Sequence, residues 1–145
     1  MELNKQFNAF YKTWLAVYIT DAVLNVIMYT YLIGPFIKRE LSKIGLDRID
    51  RDKPATEIQL ASYAIVIAII LFFIINSIPK KNRKALGSLY GALFGVIIFL
   101  IHNLFNFAIF KDWSLALVII DSSWGILQGV MIGFLGVYFY DRFNK

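Results

Sequence analysis

The 145-residue chain is 59% hydrophobic and only 17% charged, with a mean hydropathy of +0.63, a balance that excludes an ordinary soluble domain. It has no cysteine, which excludes disulfides and thiolate metal sites. The net charge of +5 is crowded into short loops, a pattern that suits anionic lipid headgroups rather than nucleic acid, and no base-reading motif or phosphate-binding glycine loop is present.

Met1 to Lys12 is polar, and no small-residue cleavage site follows an early apolar core. The first apolar run, Thr13–Ile37, is therefore expected to be a permanent helix rather than a signal peptide. Its lead-in sets Phe7, Phe10, Tyr11 and Trp14 on one face, as in an interfacial anchor. Gly34-Pro35 is expected to kink or end it. The longest loop is Lys38–Glu57. Its Asp47, Asp50 and Asp52 are interleaved with Arg and Lys and lack calcium-loop spacing, so they read as a solvated mixed-charge run. Pro54 suits the first turn of a second helix, Ile58–Ile78, much of whose aliphatic stretch Ile65–Ile75 is expected to face lipid. Pro79 and the Lys80–Lys84 cluster end it. The third helix, Ala85–Phe110, and the fourth, Trp113–Tyr140, are joined so tightly that they must form an antiparallel hairpin. Each run suffices to cross a bilayer, which takes about 20 residues at about 1.5 Å each.

Two stripes of small residues mark the hairpin. Gly87, Gly91 and Gly95 recur every four residues on the third helix, and Gly125, Gly129 and Gly133 do so on the fourth. Residues four apart share a face, so each stripe lets another backbone approach closely. Counting outward from Asp112 puts Gly95 opposite Gly129 and Gly91 opposite Gly133.

Asp121 heads the second stripe, inside an apolar run. An aspartate there costs roughly 2.5–3.5 kcal/mol on insertion and needs a partner. The same count sets Asn103 level with Asp121, with His102, Asn106, Ser122 and Ser123 near the same layer. On the first helix Asp21 and Asn25 share a face with Tyr18 and Met28. The expected arrangement is a ladder of Asp21, Asn25, Gln128, Asp121 and Asn103. Ladders of this kind occur in ion and proton pathways, and also as plain interhelical clips. Trp124 lies too deep for the headgroup belt and is expected to pack or to line a cavity. A single histidine makes a poor metal site, and no Ser, His and Asp form a nucleophilic triad. No cofactor and no metal are expected.

Gly91-Ala92-Leu93-Phe94-Gly95, Asn106, Trp113, and Asp121 with Trp124-Gly125 resemble the C-terminal half of a predicted membrane protein family catalogued as domain of unknown function 2177. Its hallmark is an Asp and an Asn on the third helix, then a Trp and an Asp-x-x-Trp-Gly on the fourth. The first helix matches loosely, through Asp21. His102 stands where the family usually has Tyr, and Asn103 where it usually has Asp. The resemblance implies a four-helix membrane protein and brings no established activity.

These readings converge on one all-α domain over residues 1–145, an integral membrane bundle of four transmembrane helices. Transport or conduction of a proton, ion or small polar solute is the leading expectation. The pathway would use Asp21, Asn25, His102, Asn103, Asn106, Asp121, Trp124 and Gln128. A structural or accessory subunit is the alternative, and a membrane enzyme is disfavoured. The expected partners are lipid and a second copy of the chain, with no nucleic acid. The expected location is the plasma membrane of a prokaryote. With four spans the termini share a side with the Lys80–Lys84 loop, which is dense in cations and lacks acids, so both termini are assigned to the cytoplasm.

Overall fold

In hydrocarbon a backbone can bond only to itself, and apolar runs of this length are helical accordingly. The computed structural model describes residues 2–45 and 53–145. Six α-helices lie there: α1 Glu2–Ile27, α2 Gly34–Lys43, α3 Lys53–Ser77, α4 Arg83–Gly95, α5 Ile101–Ile109 and α6 Leu115–Phe143. A π-helical turn at Met28–Leu32 prolongs α1, and another at Val96–Leu100 joins α4 and α5 into one rod. Four stretches are long and apolar enough to cross a membrane: Glu2–Leu32, Leu60–Ser77, Arg83–Ile109 and Leu115–Phe143. The outer faces, with Ile69, Phe72, Leu93, Ile97, Leu127 and Phe134, are exposed apolar surface suited to lipid.

The first rod breaks at Gly34-Pro35, as expected, but a further helix follows. A Cβ on Gly34 would run into the carbonyl group of Tyr29, so the chain can fold back over the rod's end only with glycine there. Pro35 then sits in the first turn of α2, where its missing N–H costs nothing. Leu41 and Ile37 face inward, while Lys38, Arg39 and Lys43 are exposed. This short amphipathic helix occupies part of the expected loop. The Asp47, Asp50 and Asp52 run lies outside the described residues.

The α3 helix is less lipid-facing than its composition suggests. Ile67, Ile70, Leu71, Ile74, Ile75 and Ile78 recur every three or four residues and are buried. They pack with Val17 of α1 and with Ile132 and Val137 of α6 in the largest apolar cluster. Leu71 presses onto Gly136, where a Cβ would collide with its Cδ2. The Trp14 indole N–H donates to the Ala64 carbonyl at 2.9 Å and ties α1 to α3.

Along the hairpin the two glycine stripes face each other and backbone meets backbone. A Cβ on Gly87 would lie 2.7 Å from the Gly133 carbonyl oxygen, and one on Gly95 would lie 2.5 Å from that of Gly125. Gly91 and Gly129 meet between them. The closest pairs are thus one turn away from the simple count, which set Gly95 opposite Gly129. The stripes are staggered rather than level, since a Cβ on Gly129 would also lie 3.2 Å from the Gly95 nitrogen. The π turn accounts for part of the offset, because it packs more residues into the same climb on the α4–α5 side.

At the end that holds both termini, Arg83 knots three helices. It donates to Asp141 of α6, and at 2.9 Å to the Ile75 carbonyl near the end of α3. Lys5 donates to the Lys145 carbonyl at 2.8 Å. The chamber described next lies toward the opposite end.

Candidate functional site

Asp121 sits two turns into α6 and is half-buried. Asn103 of α5 donates to its Oδ2 at 2.8 Å, and the Tyr29 hydroxyl donates to its Oδ1 at 3.0 Å. Three elements therefore converge on one carboxylate: α6, α5 and the π turn after α1. A π turn carries an extra residue per turn, and the Ile33 N–H reaches back five residues to the Met28 carbonyl at 2.9 Å. Tyr29 stands near the start of this turn, four residues on from Asn25, and so continues the face of Asp21 and Asn25.

A second polar cluster lies deeper. The buried Asp21 accepts on one oxygen from Gln128 at 2.9 Å and from Asn25 at 3.0 Å. Asn25 also donates to the Tyr63 hydroxyl at 3.1 Å and accepts from the Trp124 indole N–H at 3.1 Å. Gln128 donates to the Tyr63 hydroxyl as well. One carboxylate, two amides, one phenol and one indole from α1, α3 and α6 thus satisfy one another. Among the described residues, Oδ1 of Asp21 finds no partner.

Between the clusters is a cavity of about 740 Å³. Its polar wall comes from Asn25, Tyr29, Tyr63, His102, Asp121 and Gln128. Tyr18, Phe99 and Trp113 add aromatic faces, and Ile37 and Leu41 of α2 close over it. Phe99 is delivered by the second π turn and rests on Gly125, where a Cβ would overlap its ring. Each π turn thus hands one aromatic residue to the chamber. A smaller apolar pocket of about 130 Å³ lies beyond Phe99, Tyr63 and Gln128, which border both spaces.

Of the residues singled out by sequence, Asp21, Asn25, Trp124 and Gln128 fall together in the deeper cluster, and Asn103 meets Asp121. The ladder is two connected sets rather than one chain of bonds. Asn106 does not reach Asp121. One turn beyond Asn103, its Nδ2 lies 2.9 Å from Nε2 of His102, which borders the cavity. Among the described residues the buried Ser122 hydroxyl finds no partner, and Ser123 is exposed, so neither bonds to the carboxylate. Tyr29 and Tyr63 escaped the sequence reading. Tyr63 carried a usable signal, a phenol facing the core within an aliphatic helix. Tyr29 carried one too, its four-residue spacing from Asn25.

The α2 helix is pinned over this space by Glu40. Its buried carboxylate accepts from Lys43 at 2.7 Å and lies 3.6 Å from Arg39. The hydrogen bond from Lys43, then one from Ser114, hold Glu40 below its ordinary value. Ser114 caps α6, its hydroxyl accepting from the Leu117 N–H at 3.2 Å. Glu40 therefore links the covering helix to the start of the helix that bears Asp121.

Among the described residues no three His, Asp or Glu side chains converge in a way that would hold a metal ion. A family profile described as a predicted membrane protein, DUF2177, matches residues 10–138. No curated protein and no solved structure matches the chain.

Proposed function

The chain belongs to the DUF2177 family of predicted membrane proteins, and on that premise we propose that it carries a proton, an ion or a small polar solute through the chamber at Asp121. One observation carries the proposal. A cavity of about 740 Å³, the size of a small-molecule site, opens on a carboxylate within a membrane bundle. Polar space of this kind is costly in lipid and is retained where something enters it. Asp121 has an oxygen bonded to each of two helices, with lone pairs left for a visitor. In this reading the termini and the Lys80–Lys84 cluster face the cytoplasm, and the chamber opens toward the other side.

A second reading has an observation of its own. The Asp21 cluster bonds almost wholly within itself and joins three helices, as structural glue would. We assign that role to Asp21, and solute passage to Asp121.

The test is solute and proton flux into proteoliposomes made with the full chain. Asp121→Asn keeps shape and hydrogen bonding while removing the charge. Flux is expected to fall at least about tenfold, the loss expected when a functional intramembrane charge goes. A flux that persists unchanged in Asp121→Asn, with the protein folded, leaves the accessory-subunit reading in place of this one.

A further inference from the structure

The chamber's walls are specific enough to name the class of solute, an inference that rests on the transport reading above. Asp121 is the only carboxylate among the described residues that line the cavity, and no Lys or Arg lines it. An anion would meet a carboxylate with nothing to offset it. A bare inorganic cation needs several oxygen ligands at once, and a divalent one commonly takes six or more. Asp121 is the one anionic ligand among the described lining residues, and the oxygens of Asn25, Tyr29 and Tyr63 beside it are already engaged in hydrogen bonds.

Aromatic residues make up a large share of the rest of the wall. Tyr18, Tyr29, Tyr63, Phe99 and Trp113 present rings to the same space. Ring faces carry negative potential and attract ammonium groups, best where water is excluded.

From these features we infer that the chamber binds a small organic monocation, an alkylated ammonium with an apolar body. The ammonium sits by Asp121 among the rings. The volume leaves room for a body larger than a bare methylated ammonium.

Three probes of one shape and different charge test this on the full chain in nanodiscs: choline, its neutral carbon isostere 3,3-dimethylbutan-1-ol, and the anion 3,3-dimethylbutanoate. Binding is read by calorimetry or saturation-transfer NMR. Choline is expected to bind at least about tenfold more tightly than either competitor, a difference within reach of a desolvated cation–π cage with a counter-charge. Asp121→Asn is expected to erase that preference. Tyr18→Leu, which leaves the carboxylate in place, is expected to weaken choline roughly threefold and the alcohol hardly at all. If the alcohol or the butanoate binds as tightly as choline, the cation assignment is overturned and the chamber reading stands. The same holds if none of the three binds while an Asp121-dependent flux persists. Absence of both binding and Asp121-dependent flux overturns the two together.

Discussion

Asn103 Nδ2 lies 2.8 Å from Oδ2 of Asp121, one helix of the hairpin donating to the other. The glycine seam begins a turn or two further along the same pair of helices. Below Asp121 the helices touch backbone to backbone, and at Asp121 they part far enough to admit side chains, Phe99 and a cavity.

The Asn103–Asp121 bond can be measured by a double-mutant cycle of Asn103→Ala and Asp121→Ala, followed by thermal unfolding in detergent. Hydrogen bonds between membrane helices average about 0.6 kcal/mol and reach about 1.7. A coupling of that order is expected, toward the upper end because the acceptor is a carboxylate. A coupling of zero would mean that Tyr29 alone satisfies Asp121.

The two carboxylates are expected to separate in their effects. Asp21→Leu removes the acceptor shared by Asn25 and Gln128 and leaves the buried Gln128 amide only the Tyr63 hydroxyl to donate to. A loss of roughly 1–3 kcal/mol is expected, with flux per folded molecule preserved. Asp121→Asn is expected to do the reverse. Measuring melting temperature and flux on the same preparations shows whether stability and transport divide in this way.

For the seam, Gly91→Ala is the sharpest probe. Alanine gains up to about 1 kcal/mol of helix propensity over glycine. Its Cβ, however, would meet the Gly129 carbonyl, with the carbonyl carbon 2.8 Å away. A backbone cannot rotate aside as a side chain can. A net destabilisation of about 1–3 kcal/mol is expected, seen as a lower unfolding midpoint. A gain in stability would show that the helices can separate freely.

Acid is expected to loosen the cover. Glu40 is held below its ordinary value of 4.5 by the Lys43 and Ser114 hydrogen bonds. Because its folded value is depressed, the stabilisation is full above the unfolded value and is lost as pH falls through the folded one. Hydrogen exchange of the α2 amides is therefore expected to quicken below about pH 4.5. Glu40→Gln is expected to remove this pH dependence. An exchange profile that is the same in both proteins would place the α2 anchor elsewhere.

Much of this architecture is written in local chemistry. Apolar run lengths and the Gly34-Pro35 break locate the spanning helices, because hydrocarbon forces backbone bonds to close within each segment. The meeting of Asn103 and Asp121 follows from a short hairpin that keeps depths comparable on its two arms. What escaped reading depends on departures from ideal helix geometry. The glycine pairs shift by a turn partly through a π turn that no residue pattern announces. The α2 helix was hidden because its ten residues are largely polar. The buried side of α3 was not legible because aliphatic side chains suit lipid and protein equally, so composition does not say which face is which.

The glycine seam also determines which parts of the molecule can move. Packed interfaces switch by exchanging one arrangement of side chains for another, as when a helix ratchets past its neighbour. A contact of bare backbone has nothing to exchange, so α4 and α6 are held as one unit. If the chamber opens and closes as the transport proposal requires, the movement would fall to the other half of the bundle, α1 with α2 and α3. Gly34, where the chain doubles back under a carbonyl, is the natural pivot for the covering helix.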